Sequence, residues 1–130
     1  QALRELTPDT LVRLTQIDYD REIAFLALTK IEGKEVEMGV ARFAINPDKT
    51  SCEFALVIAD AFQNKGLGGV MMQTLIDTAR AKGLRTIEGE VLAHNTGMLK
   101  LMQRMGFEKH KGQMDDGVVI VTKRLGEVCC

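Results

Sequence analysis

The 130 residues (14.4 kDa), 45% of them hydrophobic and 27% charged, are enough for one soluble domain. This balance excludes a disordered or collagen-like chain, and no apolar run reaches the roughly 18 to 20 residues that span a bilayer. A membrane is therefore not an expected partner, and with a net charge of −1 neither is nucleic acid.

The first half of the chain is predicted to open with a helix. Thr7-Pro8-Asp9 combines a capping hydroxyl, a first-turn proline and a carboxylate, and the helix is expected to end near Gln16. A polar segment follows at residues 17–22. Alternating or continuous apolar patterns then predict three strands, Ile23–Thr29, Val36–Ala44 and Ser51–Ala59. The last is nearly all apolar, which predicts a central strand buried on both faces.

The second half is predicted to alternate helices and strands. Apolar residues at helical spacing indicate a helix over Gly66–Lys82, capped by Gly83. Further elements are a strand over Arg85–Leu92, a helix from Asn95 to Gly106, and a hairpin of Phe107–Gln113 with Val118–Arg124. The order indicates an α/β sheet of mixed strand direction.

Charges and cysteines narrow the chemistry. Residues 1–60 carry 7 basic and 11 acidic side chains, whereas residues 61–130 carry 10 and 7. Two solvated faces would explain this asymmetry, as would a cationic partner for the first half and an anionic ligand for the second.

The three cysteines form no C-x-x-C motif, so we expect no metal site and no disulfide scaffold, with Cys52 buried. Without disulfides or a secretory leader, a cytoplasmic location is expected.

The glycine-rich loop Gln63-Asn64-Lys65-Gly66-Leu67-Gly68-Gly69 is the strongest chemical signal. Glycines allow close approach of the backbone to a ligand, and the N–H groups of a helix start point at an anion. A phosphate or pyrophosphate site is one interpretation, and a tight strand-to-helix turn is the other. Met71 stands where a dinucleotide-binding fingerprint needs glycine, and no Gly-Lys-Ser/Thr of a P-loop occurs.

Two motifs together resemble the GNAT N-acyltransferases. Gln63-x-x-Gly66-x-Gly68 after an apolar strand is similar to the family's acyl-CoA signature, and Asn95 with Met105-Gly106-Phe107 is similar to its second conserved segment. The resemblance implies a mostly antiparallel central sheet flanked by helices, with acetyl-CoA as co-substrate. Because the chain starts at Gln1, the resemblance implies that residues 1–130 lack the family's first strand and helix; we expect either a C-terminal domain excised from a larger protein or a chain whose opening is not represented here.

A narrower resemblance concerns residues 15–22 and 52–63, which are similar to bacterial Pat-type protein lysine acetyltransferases. It implies acetyl transfer to a protein lysine, such as that of an acyl-CoA synthetase, in a ternary complex. A GNAT enzyme acting on a small amine and a non-catalytic acyl-CoA sensor are the alternatives. The sequence does not indicate the oligomeric state.

The resemblance also implies residue roles. The loop residues Gln63, Asn64, Lys65, Gly66, Leu67, Gly68 and Gly69 would bind the pyrophosphate, and the backbone at Val57 and Ala59 would pair with the pantetheine arm. Asn95 would contact that arm, although it would also serve as a helix N-cap. Met102 replaces the family's tyrosine acid, so the thiolate of CoA would leave without a side-chain acid.

Acidic residues are the candidates for handling the amine. Glu53 matches the glutamate that serves as general base in Pat-type enzymes, and desolvation in an apolar strand would raise its pKa. The alternative is a glutamate whose carboxylate reaches solvent. Asp18, Tyr19 and Asp20 are candidate substrate-binding residues, because carboxylates beside an aromatic ring suit an incoming ammonium. A charged surface connector is the alternative there.

Overall fold

The computed structural model describes residues 2–7, 10–111 and 117–126. In these ranges eight strands form one sheet, in the order β1-β2-β3-β4-β5-β6-β8-β7. The strands are β1 (Ala2–Thr7), β2 (Thr10–Asp18), β3 (Glu22–Ile31), β4 (Lys34–Ile45), β5 (Ser51–Ile58), β6 (Thr86–Leu92), β7 (Glu108–Lys111) and β8 (Val118–Arg124). Helix α1 (Leu67–Ala81) follows β5, and helix α2 (Thr96–Arg104) follows β6.

The strand directions confirm the expected architecture. Every neighbouring pair is antiparallel except β5 with β6, which is parallel. A parallel neighbour needs a crossover connection, and α1 supplies it. This is the mixed, mostly antiparallel sheet flanked by helices that the sequence predicted. Neither helix of the described residues is long and apolar enough to cross a bilayer.

One face of the sheet packs against the helices and forms the core. Helix α1 buries a stripe at helical spacing, comprising Leu67, Met71, Met72, Leu75, Ile76 and Ala79. Leu101 and Met102 of α2 join the same cluster. Cys52 is fully buried there, as expected, and its thiol is free. Burial, with a contribution from the charge of Glu88, raises the pKa of the Cys52 thiol to about 12, so this thiol is not a nucleophile at neutral pH.

The prediction of a helix that ends near Gln16 is wrong, because Thr10–Asp18 forms β2. The apolar residues that suggested a helix have a period of two, since Val12 and Leu14 are both buried. β2 pairs with β3 from Arg13–Leu28 to Asp18–Ile23, which satisfies its backbone in an extended conformation. Pro8 and Asp9 of the predicted helix start lie outside the described residues.

Strand β5 is central, as predicted, but it is not buried on both faces. Cys52 and Phe54 point into the core, whereas Glu53, Ala55 and Val57 alternate with them and are exposed. We call the side of the sheet that carries Glu53, Ala55 and Val57 the open face. The apolar residues of β5 on the open face led to the wrong prediction of burial on both faces, because hydropathy alone does not separate a core-facing residue from one on an exposed face.

Candidate functional site

The sheet opens between β5 and β6. These strands pair over four positions, from Ser51–Thr86 to Phe54–Gly89, and then diverge. Beyond that point β5 stays paired with β4 to Ile58, and β6 stays paired with β8 to Leu92. Among the described residues the second half of β5 therefore has no strand partner on its β6 side. The backbone groups of Leu56 and the N–H of Ile58 there are available to a ligand, whereas the Ile58 carbonyl accepts from Gln63 Nε2.

A cleft of about 330 Å³ lies beside this unpaired edge. It is lined by the end of β5, the start of α1 and one side of α2: Leu56, Val57, Ile58, Phe62, Gln63, Asn64, Gly66, Gly68, Gly69, Asn95, Gly97, Met98, Leu101 and Arg104. Because Val57 lines the cleft and is also 66% exposed on the open face, the cleft is accessible from that face.

The start of α1 is built to receive an anion. Gly66 is its N-cap with φ 86°, a left-handed conformation that favours glycine, and no side chain of the described residues caps the helix. The first-turn N–H groups of residues 67–69 consequently lack a capping partner within the helix. Those groups carry the positive end of the helix dipole toward the cleft, so a phosphate is a suitable ligand.

Gln63 fixes the path of the chain between β5 and α1. Its Nε2 donates to the Ile58 carbonyl at 3.0 Å and to Asp60 Oδ1 at 3.3 Å. A short 3₁₀ turn, Asp60–Phe62, lies inside this loop. Gln63 thus holds the glycine-rich loop against the end of β5, in addition to lining the cleft.

Asn95 caps α2 on the opposite side of the cleft. Its Oδ1 accepts a hydrogen bond from the Met98 N–H at 3.1 Å, so the N-cap interpretation is confirmed. The amide nitrogen is not used in that bond and remains a possible donor to a ligand. The two helices approach closely here, because a Cβ on Gly68 would lie 3.0 Å from Leu101 Cδ2.

Most of the predicted cofactor-binding residues line the cleft, and three do not. Ala59 lies outside it, and its backbone is engaged, since its N–H donates to the Met38 carbonyl and its carbonyl accepts from the Phe62 N–H, both at 2.9 Å. Lys65 is exposed outside the lining. The side chain of Leu67 is buried in the core, so only its backbone could serve a ligand.

Glu53 lies one residue before the point where β5 and β6 diverge. Its carboxylate is on the open face and exposed, so the expectation of a desolvated glutamate is wrong. Glu53 is in parallel register with Glu88 of β6, and register partners share a face. Two carboxylates therefore stand side by side where the gap begins, and they would attract a cation.

Asp18, Tyr19 and Asp20 lie at the end of the sheet opposite the start of α1, which is the end that carries Glu53. This turn leads into β3. The Ile45 N–H, at the C-terminal end of β4, donates to the Arg21 carbonyl beside the turn at 2.8 Å. Asp20 lines a separate cleft of about 400 Å³, with Lys49 and Lys82 among its other residues. The turn does not close over the cleft at α1.

Arg104 is the main lining residue that sequence reasoning missed. It is the one cationic side chain among the residues lining the cleft within the described chain. Arg104 follows Leu101 by three residues, so the two side chains are neighbours on α2. Leu101 and Met98 are predicted core residues, and their pattern does not indicate whether the next residue at this spacing faces the cleft or solvent.

The comparisons with known proteins agree with this geometry. The model of the Acetyltransferase (GNAT) family matches residues 2–107. Acetyltransferase PA5475 of Pseudomonas aeruginosa is 36% identical over 118 residues, covering 91% of this chain and 63% of its own length. Acetyltransferase Pat of Mycolicibacterium smegmatis is 29% identical over 107 residues, 82% of this chain and 32% of its own length. The chain thus spans less than two thirds of either relative.

A solved structure extends the similarity to three dimensions. The structure of yncA from Salmonella typhimurium with its cofactor acetyl-CoA superposes with a TM-score of 0.70. The match covers 84% of this chain and 68% of that one, at 21% identity. At this identity the likeness concerns the fold.

Proposed function

Because the chain belongs to the GNAT acetyltransferase family, we propose that it transfers the acetyl group of acetyl-CoA to the ε-amine of a protein lysine, with Glu53 as general base. The observation that carries the proposal is the uncapped start of α1 beside the unpaired half of β5. The former suits a pyrophosphate, and the latter suits the amide groups of a pantetheine arm. One elongated ligand that carries both groups would satisfy both sets of donors.

Each part of the cleft has a role in holding acetyl-CoA, which supplies the acetyl thioester. The N–H groups at the start of α1 and the guanidinium of Arg104 bind phosphate oxygens. The backbone of Leu56 and the N–H of Ile58, on either side of Val57, pair with the pantetheine arm, and the Asn95 amide donates to it from α2. The backbone groups of Val57 itself face Val40 of β4. Ala59 has no part in this proposal, because both of its backbone groups have partners in the fold.

Glu53 prepares the amine for attack. A lysine amine has an ordinary pKa near 10.4, so at neutral pH it must lose a proton before it attacks the thioester carbonyl. Glu53 accepts this proton, directly or through a water molecule, and Glu88 holds the approaching ammonium by its charge. Backbone N–H groups on the unpaired edge of β5 stabilise the oxyanion that forms. The thiol of CoA has a low enough pKa to leave as thiolate.

The open face supports a protein as acceptor. A small cationic amine would favour an enclosed acidic pocket, yet Glu53 is exposed on a broad sheet surface. The turn at Asp18–Asp20 borders the open face at the end that carries Glu53, because Glu22, which follows the turn, aligns with Ala44 and Ala44 with Glu53. A lysine on the surface of another protein could reach Glu53 without any rearrangement of this chain. The acceptor is therefore expected to be a folded protein, an acyl-CoA synthetase being the first to try.

The test combines acetylation with cofactor binding. We would incubate the chain with acetyl-CoA and an AMP-forming acyl-CoA synthetase and locate acetyl-lysine by mass spectrometry. Glu53→Gln should lower the rate by about 100-fold or more, with the acetyl-CoA Kd unchanged in calorimetry. Glu88→Gln is the matched control and should raise the acceptor KM with a smaller loss of kcat.

Other outcomes would redirect the proposal. If the synthetase is not modified but a panel of small amines is, the acceptor is a small molecule. If acetyl-CoA binds without turnover over both panels, the domain is a sensor. Full activity in Glu53→Gln would remove Glu53 from the role of base.

A further inference from the structure

The last paired residues of β5 and β6 are a phenylalanine and a glycine. Phe54 faces Gly89 in the parallel register, and the strands diverge immediately afterwards. Both residues are buried on the core face. The junction between the paired and diverging halves of the two strands is therefore filled by one aromatic ring.

Gly89 is required by space, since its φ is not in the left-handed region. A Cβ at this position would lie 2.4 Å from Phe54 Cε2 and 2.7 Å from Cζ, far inside a normal contact. These atoms belong to a rigid ring packed in the core, so they cannot move aside cheaply. The Phe54 ring thus lies directly over the backbone of β6.

The other side of the ring meets the end of α2. The Phe54 and Phe107 rings make an edge-to-face contact, with centroids 5.6 Å apart and planes at 60°. The Phe107 N–H donates to the Met102 carbonyl at 2.9 Å, which ties this ring to α2. Helix α2 carries Asn95 and Arg104 into the cleft. A single side chain, Phe54, consequently touches β6 and the segment that positions α2.

We propose that Phe54 is a positioning residue that sets the width of the gap between β5 and β6 and, through Phe107, the place of α2. The inference rests on the proposed function, in which the pantetheine arm occupies this gap. Residues 55–58 of β5 and 90–92 of β6 are extended and could continue the parallel ladder. The ring over Gly89 keeps the two strands apart where that ladder would otherwise extend.

The test separates the gap from the phosphate site by using two ligands. Acetyl-CoA needs both, whereas adenosine 3′,5′-bisphosphate carries phosphates but no pantetheine arm. Phe54→Leu should raise the acetyl-CoA Kd about tenfold, because a small displacement of binding groups is costly. The Kd of the bisphosphate should change less than about twofold. Both are measured by calorimetry well below the unfolding temperature of the variant.

Phe25→Leu is the matched control. Phe25 of β3 is 5% exposed and Phe54 is 7% exposed, so each variant removes a comparable ring from the same core. The two should lower Tm similarly, but only Phe54→Leu should weaken acetyl-CoA binding. Equal effects of the two variants on the acetyl-CoA Kd, or equal losses for both ligands in Phe54→Leu, would overturn the proposal.

A second pair of variants examines the contact itself. Gly89→Ala should lower Tm because its methyl group meets the ring, and adding Phe54→Leu should restore part of that loss. The double variant should still bind acetyl-CoA weakly, because the ring is absent. Wild-type affinity in the double variant would contradict the proposal.

If the wild-type chain itself fails to bind acetyl-CoA, the proposed function fails, and this outcome is distinct from failure of the Phe54 variants alone.

Discussion

Strand β5 is preceded and followed by a polar loop, and the two loops use their backbone N–H groups differently. In the loop before β5, Asp48 Oδ1 accepts from the Thr50 N–H at 2.8 Å and from the Ser51 N–H at 3.0 Å. At the end of the loop after β5, helix α1 with its N-cap Gly66 has no side-chain cap within the part of the chain that the structure describes. The first loop satisfies its own donors, and the second leaves them to a ligand.

This difference shows what distinguishes a binding loop from a structural turn. Both loops contain an Asx residue and one non-glycine residue with positive φ, Lys49 and Asn64. Their compositions are therefore of little help. The informative feature is a carboxylate within reach of the exposed N–H groups, since an anion of the protein then occupies the place that an external phosphate would take.

A carboxylate introduced into the loop after β5 should have the largest effect on acetyl-CoA affinity. Gly66→Asp places an acceptor beside the first-turn N–H groups of α1, and its negative charge repels phosphate. Losing two charge-assisted hydrogen bonds of roughly 1.5 kcal/mol each corresponds to about a 100-fold higher acetyl-CoA Kd. Calorimetry would measure the change.

Gly66→Asn is the control for the backbone. Asparagine also tolerates the left-handed conformation and can cap the helix, but it carries no charge. It should weaken binding by about tenfold, less than aspartate does. Equal affinities in wild type and Gly66→Asp would mean that the start of α1 is not the phosphate site.

The sequence predicted the parts of the site that depend on local signals. The glycine-rich loop and Asn95 were found because each terminates or begins an element and so carries a cap or turn signature. Both helices and strands β3 to β6 followed from periodicity. Residues 10–16 failed because a short apolar pattern fits either a helix or a strand until its partner, here β3, is known.

Contacts between segments that are distant along the chain could not be predicted from the sequence. Nothing local indicates that the Phe54 ring lies over Gly89, because this contact depends on the register of β5 and β6, or that Arg104 reaches the cleft, because its place depends on how α2 packs on the sheet. The exposure of Glu53 was misjudged for the same reason. Apolar neighbours along the chain predict burial, but Ala55 and Val57 lie on the open face with Glu53.

A moderate effect is expected from the charge on α2. Arg104→Gln removes the cationic side chain of the cleft, and because Arg104 is exposed, the acetyl-CoA Kd should rise only about fivefold. The rise should shrink at high salt, where exposed charges are screened. Lys100→Gln is the control, since Lys100 is an exposed cation of α2 outside the cleft. Equal effects of the two substitutions would show a general influence of charge.

The smallest effect is expected from the loop before β5, and it should concern stability alone. The Thr50 N–H, with the hydroxyl and N–H of Ser51, lowers the pKa of Asp48 below its ordinary 3.8, despite partial desolvation. A lowered pKa in the folded state means that the carboxylate stabilises the fold above pH 3.8, and that this contribution is lost as the pH falls through the folded-state value. Asp48→Asn should therefore lower Tm by about 2 °C at pH 7 and by progressively less below pH 4. Acetyl-CoA affinity should not change, because this loop provides no donors to the cleft.

Asp18→Asn is the control, since among the described residues its carboxylate accepts from the Gln16 amide and from no backbone N–H. A loss of acetyl-CoA binding in Asp48→Asn would show that the two loops are coupled through β5, and the contrast between them would no longer hold.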